Sequence, residues 1–249
     1  MNKSLDISEV PHEDDSIAIV GIGCRFPGGV KDPDSFWDLI VNARDGVVDV
    51  PTERWDSDRF YDEDTSKHSK MFVNRGGFID QPIDAFDTLF FGISPREAER
   101  MDPQQRLLLE TSWEAMEDAG LAAEDMAGTN TGVFIGAFNF DNQVTQMGIE
   151  SRHLISSQTP TSSTFTMLSN RLSYFYDFRG PSITMDTACS SSLVALHQAC
   201  QSLRQGDCDQ ALCGGVNVMF RPETFISMCK GKFLSPDGRS KSFDSRANG

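Results

Sequence analysis

The chain has 249 residues, and its 37 Asp and Glu outweigh 22 Lys and Arg to give a formal net charge of −15. This acidity argues against a nucleic-acid-binding protein, because affinity for phosphate backbones depends on clustered cationic side chains. No apolar run approaches the roughly 18 residues of a membrane span, and six scattered cysteines suit a reducing compartment, so we expect a globular cytoplasmic protein.

The first third of the chain predicts a flexible lead, a strand, a helix and a long loop. Residues 1–15 form an acidic segment without the apolar core of a signal peptide, and we place one domain at 16–249. The apolar run at 17–20 predicts a buried strand. Asp32-Pro33 predicts a helix start, because Asp caps helices and Pro suits their first turn. Residues 44–93 are loop-rich, with a turn at Arg75-Gly76-Gly77.

Two capped helices follow in close succession. Ser94 and Asp102 each precede a proline, which is typical of an N-cap followed by the first helical position. The second helix is expected to reach Gly120. Its apolar stripe is a core stripe rather than a ligand site, and consists of Leu109, Trp113 and Met116.

Strands and helices alternate through the second half of the chain. The sequence predicts three strands, at 131–138, 182–185 and 209–219. A polar stretch at 139–167 leads to a helix at 167–178, and a second helix covers 189–204. This alternation of apolar strands and helices indicates an α/β layered fold.

Two candidate ligand sites lack the residue spacing that their ligands require. Gly21-Ile22-Gly23 follows the first predicted strand, but the third glycine of a dinucleotide fingerprint is missing and Pro27 blocks the helix that should hold the pyrophosphate. The paired spacing of zinc ligands is absent from the remaining thiols, so structural roles are predicted for Cys24, Cys200, Cys208, Cys213 and Cys229.

Cys189 differs from the other cysteines, because it stands where a strand turns into a helix. The unpaired N–H groups and dipole of a helix N-terminus favour a thiolate and can stabilise an oxyanion. Three serines at 190–192 keep its surroundings small. An apolar stripe follows it and predicts that the helix face carrying Cys189 is buried: Leu193, Leu196, Cys200 and Leu203. Placement alone leaves two readings open, a structural cysteine and a nucleophile, and favours the first.

The complete motif DTACSSSLVALHQAC at 186–200 closely resembles the active-site signature of β-ketoacyl synthases, particularly the ketosynthase domains of type I polyketide synthases. The resemblance covers nearly the whole chain after residue 15. Further motifs occur in the family's order: GIGCRFPGG at 21–29, PTERWD at 51–56, the run at 90–120, TGVFIG at 131–136, NRLSYFYDFRGPS at 170–182, GGVNVM at 214–219 and FLSPDGRSKSFDSRANG at 233–249.

The resemblance implies a thiolase-like fold, in which two α/β halves stack as five αβαβα layers and the enzyme is usually dimeric. It implies that Cys189 accepts an acyl chain from a carrier-protein thioester, with its backbone N–H available as an oxyanion donor. A malonyl-type extender then loses CO₂ and attacks the acyl-enzyme. No metal or nucleotide is expected. Phosphopantetheine belongs to the partner acyl carrier protein.

The family's two catalytic histidines and a C-terminal glycine-rich loop are expected beyond residue 249, so the chain reads as an incomplete N-terminal half. None of its own histidines replaces them: His12 lies in the lead, His68 and His153 in polar segments, and His197 about 12 Å along the helix from Cys189 on another face. Two functions therefore stay open. One is the acyl-transfer portion of a polyketide or fatty-acid synthase that cannot condense alone; the other is a non-catalytic half acting in folding or dimerisation.

Overall fold

The computed structural model describes residues 16–249, so the lead predicted for residues 1–15 lies outside the described residues. A three-stranded parallel sheet in the order β4-β3-β5 forms its centre. Strand β3 (Thr131–Ala137) is buried at every residue and pairs with β4 (Ser182–Met185) on one side and β5 (Gln210–Val216) on the other. The three strands predicted in the second half of the chain are confirmed.

Helices cover both faces of this sheet, because successive side chains of β3 point in opposite directions. Val133, Ile135 and Ala137 pack in one core with α4 (Pro103–Asp118) and α8 (Met167–Tyr176). Phe134 points the other way, into a smaller core with α9 (Ser191–Gln205). The described part of the chain therefore has an α/β/α arrangement, with α8 and α9 as the crossovers that parallel strands require.

A third apolar core lies under the loop-rich region. Strands β1 (Val47–Asp49) and β2 (Arg75–Gly77) pair antiparallel, and their neighbourhood packs against α10 (Glu223–Lys230). The rings of Trp55, Phe78 and Phe225 meet at centroid distances of 5.4 to 6.0 Å. The turn predicted at residues 75–77 is therefore wrong, since these residues form β2, and α10 has no counterpart in the sequence prediction.

The remaining elements are short. Two of them begin at the helix caps that the sequence predicts. Asp32 caps α1 (Pro33–Val41), and Ser94 caps α3 (Pro95–Ala98). The other short elements are α2 (Ser57–Phe60), α5 (Ala123–Met126), α6 (Asp141–Met147), α7 (Thr159–Ser163) and two 3₁₀ turns at Ile149–Leu154 and Ala188–Ser190. Among residues 16–249, no helix is both long and apolar enough to cross a membrane.

The buried strand predicted at residues 17–20 is wrong. Residues 16–25 form no strand, and the side chain of Ile19 is 76% exposed. The segment lies against α4 instead: the Ile22 N–H donates to Asp118 Oδ2 at 2.9 Å, and Arg25 pairs with Glu114. An open cavity of about 1510 Å³ separates it from β5, so its backbone has no strand within hydrogen-bonding distance.

Asp102 is a buried carboxylate that starts α4. Its Oδ1 accepts the Gln104 backbone N–H at 2.8 Å, and its Oδ2 accepts the Gln104 side-chain amide at 3.1 Å. These bonds favour the ionised form, but burial outweighs them and raises the pKa of Asp102 to about 6. The folded state therefore holds a proton that the unfolded chain releases at lower pH.

We predict that Asp102 makes the stability of the protein fall as pH rises from about 4 to about 6. The sign follows from linkage, because the folded state binds more protons than the unfolded state in this window. In urea denaturation, the free energy of unfolding of the wild type, measured relative to that of Asp102→Asn, should fall across this window by on the order of 3 kcal/mol. The substitution also changes the contact with Gln104, but this effect is independent of pH. It therefore does not alter how the difference between the two proteins changes with pH. A constant difference between the two proteins would contradict the assignment.

Candidate active site

Cys189 lies in the turn that joins β4 to α9, at the carboxyl end of the parallel sheet. Strand β4 ends at Met185, a 3₁₀ turn covers Ala188–Ser190, and α9 begins at Ser191. The Cys189 thiol is free and exposed, and it borders the large cavity beside β5. Ligands of parallel α/β sheets commonly bind at this end of the strands.

The backbone of this turn adopts an uncommon conformation at the residue before the cysteine. Ala188 has a φ of +56°, in the left-handed region that non-glycine residues rarely occupy. The Asp186 carboxylate accepts the Ala188 N–H at 2.8 Å. Such conformations cost about 1–3 kcal/mol and persist only where surrounding contacts hold them.

The three serines after Cys189 have different environments, although the sequence predicts similar small surroundings from all of them. Ser190 and Ser192 are exposed, whereas Ser191 is buried. The Ser191 hydroxyl accepts the Thr187 N–H at 2.9 Å and donates to the Ala188 carbonyl at 2.6 Å. Ser191 therefore faces the inside of the turn rather than a substrate.

Two glycines allow the first turn of α9 to lie directly on the sheet. A β-carbon at Gly136 of β3 would lie 2.5 Å from the Ser191 carbonyl oxygen and from the Ser192 nitrogen. Gly215, which is opposite Gly136 on β5, leaves room for Ser192 in the same way, with 2.6 Å to its Cβ. No side chain fits at either position without displacing its neighbours, so these glycines fix the height of Cys189 above the sheet.

The buried face predicted for α9 is wrong. Leu193 and Leu196 are 71% and 43% exposed, while the residues against the sheet are Ser191, Ala195 and Ala199. Small side chains occupy this face because the helix packs so close to β3. Leu193 and Leu196 point away from the sheet and give the first part of α9 a second apolar face, whereas Leu203 is half-buried and packs against the core around Phe134.

A buried polar clamp, which the sequence pattern did not predict, holds the neighbouring loops at the same end of the sheet. The Gln104 amide donates to the Asn139 carbonyl at 3.1 Å and accepts the Val218 N–H at 3.3 Å, so it joins the loops after β3 and β5. Asp141 Oδ2 accepts the N–H groups of Phe220 and Arg221 at 2.8 and 3.0 Å. The one signal of this clamp in the sequence is the helix-capping Asp102, two residues before Gln104.

The other titratable candidates are not gathered around Cys189. His68, His153 and His197 are exposed on the loop before β2, the 3₁₀ turn after α6, and α9. Cys24, Cys208 and Cys229 are buried, as predicted for structural thiols, and Cys200 and Cys213 are half-buried. Burial raises the pKa of the Cys24 and Cys208 thiols and takes that of Cys213 to about 11.

We predict that limiting iodoacetamide labels Cys189 before every other cysteine of the native chain. The reason is access, together with the small thiolate fraction that burial leaves at Cys24, Cys208 and Cys213. Peptide mapping after timed quenching measures the order, and Cys189→Ala supplies the control in which the fast-labelled peptide disappears. Earlier labelling of Cys208 or Cys229 in the folded protein would refute this ordering.

Comparison with known proteins agrees with the resemblance seen in the motifs. Residues 14–249 match the family described as "Beta-ketoacyl synthase, N-terminal domain". A phenolphthiocerol/phthiocerol polyketide synthase of Mycobacterium tuberculosis is 48% identical over 233 residues, which are 94% of this chain and 13% of the relative. The partially reducing polyketide synthase tpeA of Talaromyces stipitatus is 44% identical over 97% of this chain and 10% of its own length. The chain thus corresponds to a small part of each relative.

Solved structures with the same architecture are ketosynthase domains. The oxazolomycin ketosynthase domain OzmH KS7 of Streptomyces albus superposes with a TM-score of 0.85 at 42% identity, over 93% of this chain and 39% of that one. The ketosynthase from module 6 of the bacillaene synthase of Bacillus subtilis gives a TM-score of 0.80 at 40% identity, over 93% of this chain and 37% of that one. The chain therefore belongs to the β-ketoacyl synthase family, matches its N-terminal domain, and has the thiolase-like α/β fold of the polyketide synthase ketosynthase domains to which it is similar.

Proposed function

We propose that Cys189 is the nucleophile that accepts the acyl chain in a ketosynthase domain of which this chain is the N-terminal part. The observation that carries the proposal is the exposed thiol on a constrained turn, placed at the carboxyl end of the sheet by direct packing of α9 on Gly136. The other cysteines among residues 16–249 are buried or half-buried.

The proposed first step transfers an acyl group from the phosphopantetheine thioester of an acyl carrier protein. The Cys189 thiolate attacks the carbonyl carbon and forms a C–S bond, and the carbonyl oxygen becomes an oxyanion. The backbone N–H of Cys189 is the donor this chain offers to that oxyanion. The carrier's C–S bond then breaks, and its thiolate takes up the proton that Cys189 gave to solvent. Covalent capture divides the overall condensation into two easier steps.

The second step needs groups outside this chain. A malonyl-type extender loses CO₂, and its carbanion attacks the acyl carbon, forming a C–C bond while the Cys189 thiolate leaves. Decarboxylation requires a cationic or hydrogen-bonding group beside the extender. We propose that the family's histidines supply it from the C-terminal half, since His68, His153 and His197 are exposed and scattered.

Two unpartnered surfaces support the docking of that C-terminal half. The cavity of about 1510 Å³ borders β5, whose edge away from β3 pairs with no strand among the described residues. The Leu193 and Leu196 side chains of α9 are exposed around Cys189, and an apolar patch beside a reactive group normally marks an interface or binding site. Both surfaces fit a domain whose remaining residues pack over α9.

A homodimer is the second proposed association. Among the described strands, β4 pairs only with β3, so its outer edge presents unpaired backbone groups together with the half-exposed Ile183. An open sheet edge is a template for pairing with another strand. The alternative, a half that acts only in folding or dimerisation, uses these same surfaces and makes no use of the thiol.

We predict that the isolated chain takes up an acyl group at Cys189 and stops there. The purified chain is incubated with an acyl thioester and a malonyl-loaded carrier protein, while intact mass and CO₂ release are followed. An acyl adduct that Cys189→Ala abolishes, without β-ketoacyl product, is the expected result. The absence of an adduct on a chain whose Cys189 still reacts with iodoacetamide would favour the non-catalytic alternative. Sustained turnover would show that this chain contains its own decarboxylating group.

A further inference from the structure

We propose that Ser191 is a positioning residue for acyl transfer, because its hydroxyl, together with its own backbone N–H, holds the carbonyl of the peptide plane that carries the Cys189 N–H. This inference rests on the proposed role of Cys189. Ser191 is 5% exposed, and its hydroxyl bonds to backbone on both sides of the left-handed Ala188. It accepts from the Thr187 N–H at 2.9 Å and donates to the Ala188 carbonyl at 2.6 Å.

The second of these bonds determines a direction as well as a distance. The Ala188 carbonyl and the Cys189 N–H belong to the same peptide unit, which is planar and trans. Holding the carbonyl oxygen toward Ser191 therefore aims the Cys189 N–H the opposite way, out of the turn. An oxyanion donor acts only if it already points to where charge develops in the transition state.

The first bond keeps the turn from relaxing. An alanine with a φ of +56° is disfavoured, so the surrounding contacts must hold it there. Asp186 holds the N–H of Ala188 at 2.8 Å, while Ser191 holds the carbonyl of Ala188 and the N–H of Thr187. Asp186 is exposed to solvent and Ser191 is not, so water cannot readily replace the bonds of Ser191.

The neighbouring serines do not share this geometry. The Ser190 hydroxyl is exposed and bonds to Thr187 at 2.9 Å, without reaching Ala188. Ser192 is exposed and packs its Cβ near Gly215. Ser192→Ala is thus a matched control, one position away on the same helix turn, for Ser191→Ala.

The test compares two reactions at the same sulfur atom. Acyl transfer from a thioester develops an oxyanion, whereas alkylation by iodoacetamide displaces iodide and develops none. The ratio of the two rate constants at Cys189 reports orientation of the N–H, while simple access or thiol ionisation affects both reactions. Labelling of the buried Cys208 and Cys229 in the same samples reports opening of the fold.

Ser191→Ala in the 249-residue chain should lower the ratio of acyl transfer to alkylation by about tenfold, with Cys208 and Cys229 still unlabelled. Ser192→Ala should leave it within about twofold, and Ser191→Thr, which keeps the hydroxyl, should restore it. A ratio equal to that of wild type in Ser191→Ala overturns the proposal, as does labelling of Cys208 and Cys229, which would give Ser191 a general structural role. A wild-type Cys189 that is alkylated but never acylated would instead refute the proposed function itself.

Discussion

The contact between the first turn of α9 and Gly136 is the constraint on which the site depends. Backbone atoms of Ser191 and Ser192 occupy the space that a side chain on β3 would need, and Gly215 gives the same clearance on β5. A helix that approaches a sheet this closely must present small residues, which explains Ala195 and Ala199 on its buried face. The position of Cys189 follows, because it lies two residues before Ser191, the first of the two residues that touch the strand.

The same contact gives α9 two apolar faces with different partners. Its alanine face meets Phe134 and the rest of β3, while Leu196 and the preceding Cys189 border open space beside β5. A helix that is apolar on both sides belongs between two layers. This arrangement agrees with the thiolase-like family fold and connects the exposed Cys189 to the surface on which we propose the C-terminal half to dock.

The sequence predicted those elements whose signals are local. Prolines after Ser94 and Asp102 marked helix starts, and the apolar run of β3 marked a strand. Residues 17–20 carry an equally apolar run, but a strand also needs a paired neighbour, and that neighbour is missing beside β5 among the described residues. The leucine stripe of α9 was assigned to the wrong face because a periodic pattern does not tell which of two apolar faces meets the sheet. The proposed role of Ser191 depends on the positive φ of Ala188. An alanine in a sequence gives no sign that its φ is positive.

The most direct test of this account is acyl transfer to Cys189 in Gly136→Ala, measured beside Gly214→Ala. The added methyl at Gly136 must displace the start of α9, whereas a β-carbon at Gly214 meets nothing within 4 Å. We expect Gly136→Ala to lower the acyl-transfer rate by about tenfold or more and Gly214→Ala to retain the wild-type rate. Equal, wild-type rates in both variants would contradict the claim that close packing of α9 on β3 positions Cys189 for the proposed acyl transfer.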